Sequence, residues 1–336
     1  MLKKFLTLIA VMTAAGAVWA APVLINGAGA TFPYPIYSKW FDEYSKIDHN
    51  VQFNYQSIGS GGGIKQITAK TVDFGASDGP MTPDQMNEAP GRIYHIPMVM
   101  GSEAIVFNLE GVKTGLKLTA DVLADIYLGK VTSWSDARIT AENPGVNLPN
   151  ESIVVVHRSD GSGTTYIFTD YLSSVSSEWK GRVGKATSVN WPLGLGGKGN
   201  EGVAGFVRQT PGSIGYVELA YAVRNGLPYA YLKNESGNFI EPTIESTSKA
   251  AEGVPIPEDF RVSIVNSSNP QAYPIAGFTW LLIYKDMDDH VKGEAIVNFI
   301  KWAIHDGQAY TKDLLYAPLP AQVVGMIETK LTHVKY

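Results

Sequence analysis

The chain has 336 residues, 45% hydrophobic and 18% charged, a length that suits two domains better than one and a mixture that excludes intrinsic disorder. The formal net charge of −5 argues against a nucleic-acid partner, which selects basic surfaces. There is no cysteine, so no disulfide supports the fold and the core must hold it together alone.

The first twenty residues read as an export signal. Lys3 and Lys4 form a positive start, and the apolar run from Phe5 to Ala17 is short for a membrane span, which needs about 20 residues. Val18-Trp19-Ala20 presents small residues where a signal peptidase reads, which predicts cleavage before Ala21. A lipid anchor would need a cysteine there, so a soluble periplasmic protein is expected. Without the two lysines the chain carries 25 basic and 32 acidic residues.

Further along, short apolar runs alternate with amphipathic segments, which predicts an α/β fold. Val23-Leu24-Ile25 and Val51 to Tyr55 read as strands. Ile36, Trp40, Phe41 and Tyr44 recur at helical spacing, as do Ile167, Phe168, Tyr171, Leu172 and Val175, and later Ile296, Phe299, Ile300 and Ala303. Ile153 to Val156 reads as a buried strand. The stretches His95 to Phe107 and Ala276 to Tyr284 are extended and apolar, and either has the character of a segment crossing between domains.

At three places a strand runs into a loop rich in Gly, Ser and Thr ahead of an amphipathic helix: Gly27 to Phe32, Ser57 to Gly63, and Asp160 to Thr164. Each offers unpaired backbone N–H groups at the positive end of a helix dipole, and glycine lets an oxyanion approach the backbone. One such loop is most often an ordinary capped helix start; three in one chain favour an anion site. Arg158 precedes the third loop at the end of a strand where open α/β sheets place ligands, and Asp160 stands ready to hold its guanidinium; an ordinary surface ion pair is the competing explanation. Asp78 ends a short strand but is not needed as the next helix cap, since Thr82, Pro83 and Gln85 form a capping box of their own. A carboxylate beside an anion site repels its ligand unless the ligand carries a proton to donate.

The strings GAGATFPYPIY, GSGGGIKQI, VDFGASD, DGSGTTYIFT and GLGGKGN closely resemble the periplasmic phosphate-binding proteins of high-affinity ABC phosphate importers, in the same order from about Val23 to near the C-terminus. The resemblance implies a two-domain venus-flytrap fold of the periplasmic-binding-protein type, with hinge strands between the domains. Residues 21–100 and 277–336 would form domain I and residues 101–276 domain II. It implies that inorganic phosphate is held by Ala30, Thr31, Phe32, Ser60, Asp78, Arg158, Ser162, Gly163 and Thr164. Phe32 would contribute its backbone N–H and a wall, and Asp160 would position Arg158. It further implies a monomer without a cofactor that delivers phosphate to membrane permease subunits driven by a cytoplasmic ATPase. Two positions depart from the best-known members: Gly61 stands in place of a second Ser, and His157 in place of a basic residue.

Enzyme alternatives find little support in the motifs. Neither Ser60 nor Ser162 sits in Gly-x-Ser-x-Gly, and Lys198 is followed by Gly199 rather than Ser or Thr. Gly194 to Gly199 fits Gly-x-Gly-x-x-Gly but has no apolar strand before it, and reads as a cleft or surface loop. The six His are scattered without metal spacing. A secreted phosphatase is the chief enzymatic alternative, and a structural or adhesive surface protein the other.

Overall fold

The computed structural model describes residues 22–336, and the export signal expected over residues 1–20 lies outside them. The strands are β1 (Val23–Gly29), β2 (Val51–Ser57), β3 (Phe74–Ser77), β4 (Ile93–Phe107), β5 (Lys117–Leu118), β6 (Val154–Arg158), β7 (Leu195–Gly197), β8 (Ser213–Glu218), β9 (Tyr231–Lys233), β10 (Phe239–Ile240) and β11 (Ala276–Tyr284). Eight of them form one sheet in the order β2-β1-β3-β11-β4-β8-β6-β7, and β10-β9-β5 form a small second sheet.

The large sheet is two half-sheets sharing one strand. The first part of β4 pairs antiparallel with β11, from Ile93 opposite Tyr284 to Ser102 opposite Ala276. Its last five residues pair with β8, beginning at Glu103 opposite Glu218. Both apolar stretches expected to be extended are therefore strands, and every residue of each is buried, as a strand covered on both faces should be. The main chain crosses between the halves along β4 and again just before β11, where the Glu103 N–H donates to the Ile275 carbonyl at 2.9 Å.

Each half is closed by helices, three of them placed where the periodicity expects them and one, Gly199–Gln209, not expected. Tyr34–Ile47 and His290–Ile304 cover the first half-sheet. Phe41, Phe53 and Phe299 meet there with ring centroids 4.6–5.2 Å apart, a geometry that adds to the burial of their apolar area. Gly163–Val175 packs Phe168 on Tyr216 at 4.2 Å in the second half. The helix Gly199–Gln209 buries Val203, Ala204 and Val207 against Val106, Val156 and Val217.

Two expectations need correction. Ser60 to Gly63 is not a loop ahead of a helix but the first turn of the helix Ser60–Thr68. That helix lies directly on the sheet backbone: a Cβ on Gly63 would come 2.6 Å from the Ala28 carbonyl oxygen. Only glycine admits this packing, which overrides its poor helix propensity. The Gly194–Gly199 segment is not wholly loop either. Its centre is β7, an edge strand paired parallel with Val156–Arg158. The capping box of Thr82 and Gln85 forms as expected, leaving Asp78 free of any capping duty.

Candidate functional site

The three glycine-rich segments converge where the halves face each other. The Gly61 N–H donates to the Gly161 carbonyl at 2.9 Å, joining a helix start of the first half to a loop of the second. Ser60 Oγ makes a second link, accepting the Asp78 N–H at 3.2 Å and the Gly163 N–H at 3.0 Å. Ser162 caps the helix Gly163–Val175 by accepting the Thr165 N–H at 3.0 Å, so its own hydroxyl proton is available to an acceptor.

Arg158 ends β6 with its side chain 1% exposed. Asp160 grips it with both oxygens, from Nε at 2.8 Å and Nη2 at 2.6 Å, while Nη1 donates to Thr164 Oγ1 at 3.2 Å. These bonds use three of the five guanidinium N–H groups and leave one on each terminal nitrogen. Burial would raise the Asp160 carboxyl, but the bonds and charge of Arg158, with the Gly199 N–H at 3.1 Å, bring it below the usual carboxylate range. The pair is thus a fixed, ionised fork rather than a loose surface contact.

Asp78 is 1% exposed. Its Oδ1 accepts the Thr279 hydroxyl at 2.8 Å, and Oδ2 lies 3.5 Å from Ser60 Oγ. Burial pushes its carboxyl up to about 7, against the opposing effects of the Thr279 hydroxyl, the Arg158 charge and Ser60. Around neutrality this group therefore exchanges a proton, a property that ordinary surface carboxylates lack.

Of the first loop, Thr31 and Phe32 lie at the cleft with Phe32 fully buried. The Ala30 N–H donates to the Ala76 carbonyl at 3.0 Å and is not free, so Ala30 contributes its place in the loop rather than a donor. Among the described residues, the N–H groups of Phe32 and Thr164 find no acceptor in the protein. Such groups lining a cleft are ready donors for an oxyanion.

Three residues of this constellation lay outside the expected set. Asn200, fully buried, donates through Nδ2 to Thr31 Oγ1 at 2.7 Å and Thr164 Oγ1 at 3.1 Å, tying one half to the other. It belongs to the string GLGGKGN, so its segment was marked although its role was not. Thr279 holds Asp78 from β11, and Tyr221 holds the Thr31 carbonyl at 2.6 Å; neither sits in a marked motif. Beneath the cleft, Glu103 and Glu218 are fully buried register partners. Burial drives both well above the normal carboxylate range; the Asp78 charge is the next largest effect on Glu103 and a minor one on Glu218, where the Ala220 N–H, Tyr316 and Arg224 oppose the rise.

Among the described residues, no group of three or more His, Asp or Glu is placed to hold a metal ion. The arrangement is a set of neutral donors with one guanidinium and one proton-exchanging carboxyl, closed in from two sides.

Comparison with known proteins agrees with this architecture. The family model of the PBP superfamily domain matches residues 16–306. The phosphate-binding protein PstS of Xylella fastidiosa (strain 9a5c) is 47% identical over 309 residues, covering 91% of this chain and 84% of that one. PstS of Pasteurella multocida is 43% identical over 332 residues, covering 98% and 96%. The solved structure of a high-affinity periplasmic phosphate-binding protein, PfluDING, bound with phosphate superposes with a TM-score of 0.72 at 21% identity, over 91% of this chain and 93% of that one. The chain belongs to the PBP superfamily and, within it, to the family of PstS phosphate-binding proteins. The two-domain venus-flytrap fold implied by its motifs is the fold it has.

Proposed function

We propose that the chain is an exported binding protein that captures inorganic phosphate between its two halves and hands it to an ABC importer. The observation that carries this reading is the buried Asp78 carboxyl set beside Ser60, Gly163 and the Arg158 fork. An anion site does not gain from a carboxylate unless the ligand brings a proton. Phosphate near neutrality keeps one.

In this reading Thr31, Phe32, Ser60 and Asp78 from the first half, and Arg158, Ser162 and Thr164 from the second, surround the anion; Gly163, whose N–H is given to Ser60 Oγ, contributes its place rather than a donor, as Ala30 does. The change of pairing partner after Ser102 supports domains of residues 21–100 with 277–336 and 101–276, hinged along β4 and the approach to β11. No described helix is long and apolar enough to cross a membrane. Export through a signal cleaved before Ala21, release without a lipid anchor, and action as a monomer on permease subunits with a cytoplasmic ATPase complete the proposal. Two assays test it together. Phosphate should raise the unfolding temperature, and a chromogenic phosphate ester should show no turnover. Turnover would favour the phosphatase alternative, and no thermal response would favour a structural protein.

A further inference from the structure

Tyr221 stands in the helix Leu219–Arg224 of the second half, 6% exposed, with its hydroxyl 2.6 Å from the carbonyl oxygen of Thr31 in the first half. The Glu201 Oε1 atom is also within reach of this hydroxyl, at 3.2 Å, and the Thr31 carbonyl is the nearer acceptor. The Thr31 carbonyl belongs to the same peptide unit as the Phe32 N–H, and a trans peptide points these two groups in opposite directions. The Tyr34 N–H of the first half also reaches this carbonyl, but at 3.2 Å, so the Tyr221 bond is the shorter of the two that hold it. Holding the carbonyl holds the direction of the N–H, which has no acceptor in the protein among the described residues.

A neighbouring tyrosine makes the contrast. Tyr316 donates to the Phe32 carbonyl at 2.6 Å. That carbonyl shares its peptide with Pro33, which has no N–H to aim. The same kind of bond, one residue along, orients no donor.

We infer that Tyr221 is a positioning residue for the bound anion: by bonding to Thr31 across the closed cleft, it aims the Phe32 N–H at the ligand. The inference rests on the phosphate-binding reading above. It makes closure and capture mutually reinforcing, because a peptide that the first half holds only through the 3.2 Å bond from Tyr34 is held more tightly by a hydroxyl that arrives with the second. Burial, together with the nearby Glu201 and Glu218, raises the Tyr221 phenol far above its ordinary value, so it stays a donor at any working pH.

The test compares Tyr221→Phe and Tyr316→Phe with the parent by calorimetric titration with inorganic phosphate, and by the Phe32 amide resonance in ¹⁵N-labelled protein. Loss of one neutral hydrogen bond predicts a Kd about three- to tenfold higher for Tyr221→Phe, with a smaller phosphate-induced shift of the Phe32 amide. Tyr316→Phe should keep the parent Kd and the parent amide shift, whatever it does to the ligand-free melting temperature. A Tyr221→Phe variant with parental Kd and amide shift overturns the inference alone, as does an equal loss in both variants. A parent that takes up no phosphate overturns the functional reading and this inference with it.

Discussion

The Gly163 N–H donates to Ser60 Oγ at 3.0 Å, bringing a helix start of the second half into contact with a helix start of the first. There is no room for more: a Cβ on Gly163 would stand 2.5 Å from that oxygen and press on the Asp78 carboxylate. Gly163→Ala should therefore prop the cleft open while each half still folds. Small-angle scattering at saturating phosphate should show compaction in the parent and little in the variant. Overpacking of this kind costs about 1–3 kcal/mol, or roughly 5- to 150-fold in affinity. A variant that compacts and binds like the parent would show that the halves need not meet here.

Arg158→Ala removes the only full positive charge assigned to the site, and phosphate affinity should fall by about 1.5–3 kcal/mol. Part of that loss comes from Asp160, whose carboxylate would be left without its partner 2.6–2.8 Å away and would repel the anion. Removing Asp160 as well should recover some affinity, so the double variant should bind more tightly than Arg158→Ala alone. Calorimetric titration of the three proteins checks the order.

Much of this arrangement was legible before any coordinates. Arg158 and Asp160 are two residues apart at a strand end, so local geometry alone brings them together. Asp78 stood out because Thr82, Pro83 and Gln85 already account for the next helix start. The apolar runs of β4 and β11 announced extended segments, and the fold shows them as strands covered on both faces. What could not be read were groups whose roles exist only through distant partners. Thr279 meets Asp78 from 201 residues away and Tyr221 meets Thr31 from 190, and neither threonine nor tyrosine is unusual in a strand or helix. The glycines of the helix Ser60–Thr68 misled in the opposite sense. Their composition speaks for a loop, but the segment is helical, with Gly63 packed on β1 and β3 and Gly61 against Gly161 of the second half.

Selectivity should depend on pH through Asp78. Sulfate brings no proton, so it can be accommodated only where Asp78 carries one, below its value of about 7. The sulfate Kd of the parent should drop about tenfold for each pH unit lowered toward 7 and level off beneath it. Asp78→Asn should admit sulfate at every pH with no such slope. Competition titrations between pH 5.5 and 8.5 measure both curves, and parallel curves would place the discrimination elsewhere.

The same group predicts a trend in stability. Its native pKa, about 7, is raised from the ordinary 3.8, so its contribution is fully present below about pH 4 and is lost as pH rises through 7. Relative to Asp78→Asn, the ligand-free parent should lose about 1.4 kcal/mol for each unit of that shift. Glu103 and Glu218, also raised, act in the same direction in both proteins. Denaturant unfolding of parent and variant at pH 4 and pH 8 gives the difference. A gap that does not widen with pH would mean that Asp78 is not the buried, proton-holding group described.

The most direct measurement is calorimetric titration of the mature parent at pH 8 with phosphate and, separately, with sulfate. A cleft whose ionised Asp78 accepts a hydrogen bond from its ligand predicts saturable binding of one phosphate per chain. It also predicts much weaker binding of sulfate, whose Kd at pH 8 should stand about tenfold above its low-pH plateau because only the minority of chains that hold a proton on Asp78 can take it. Comparable heats and affinities for the two anions would contradict the account, because a site indifferent to that proton has no use for a buried carboxyl.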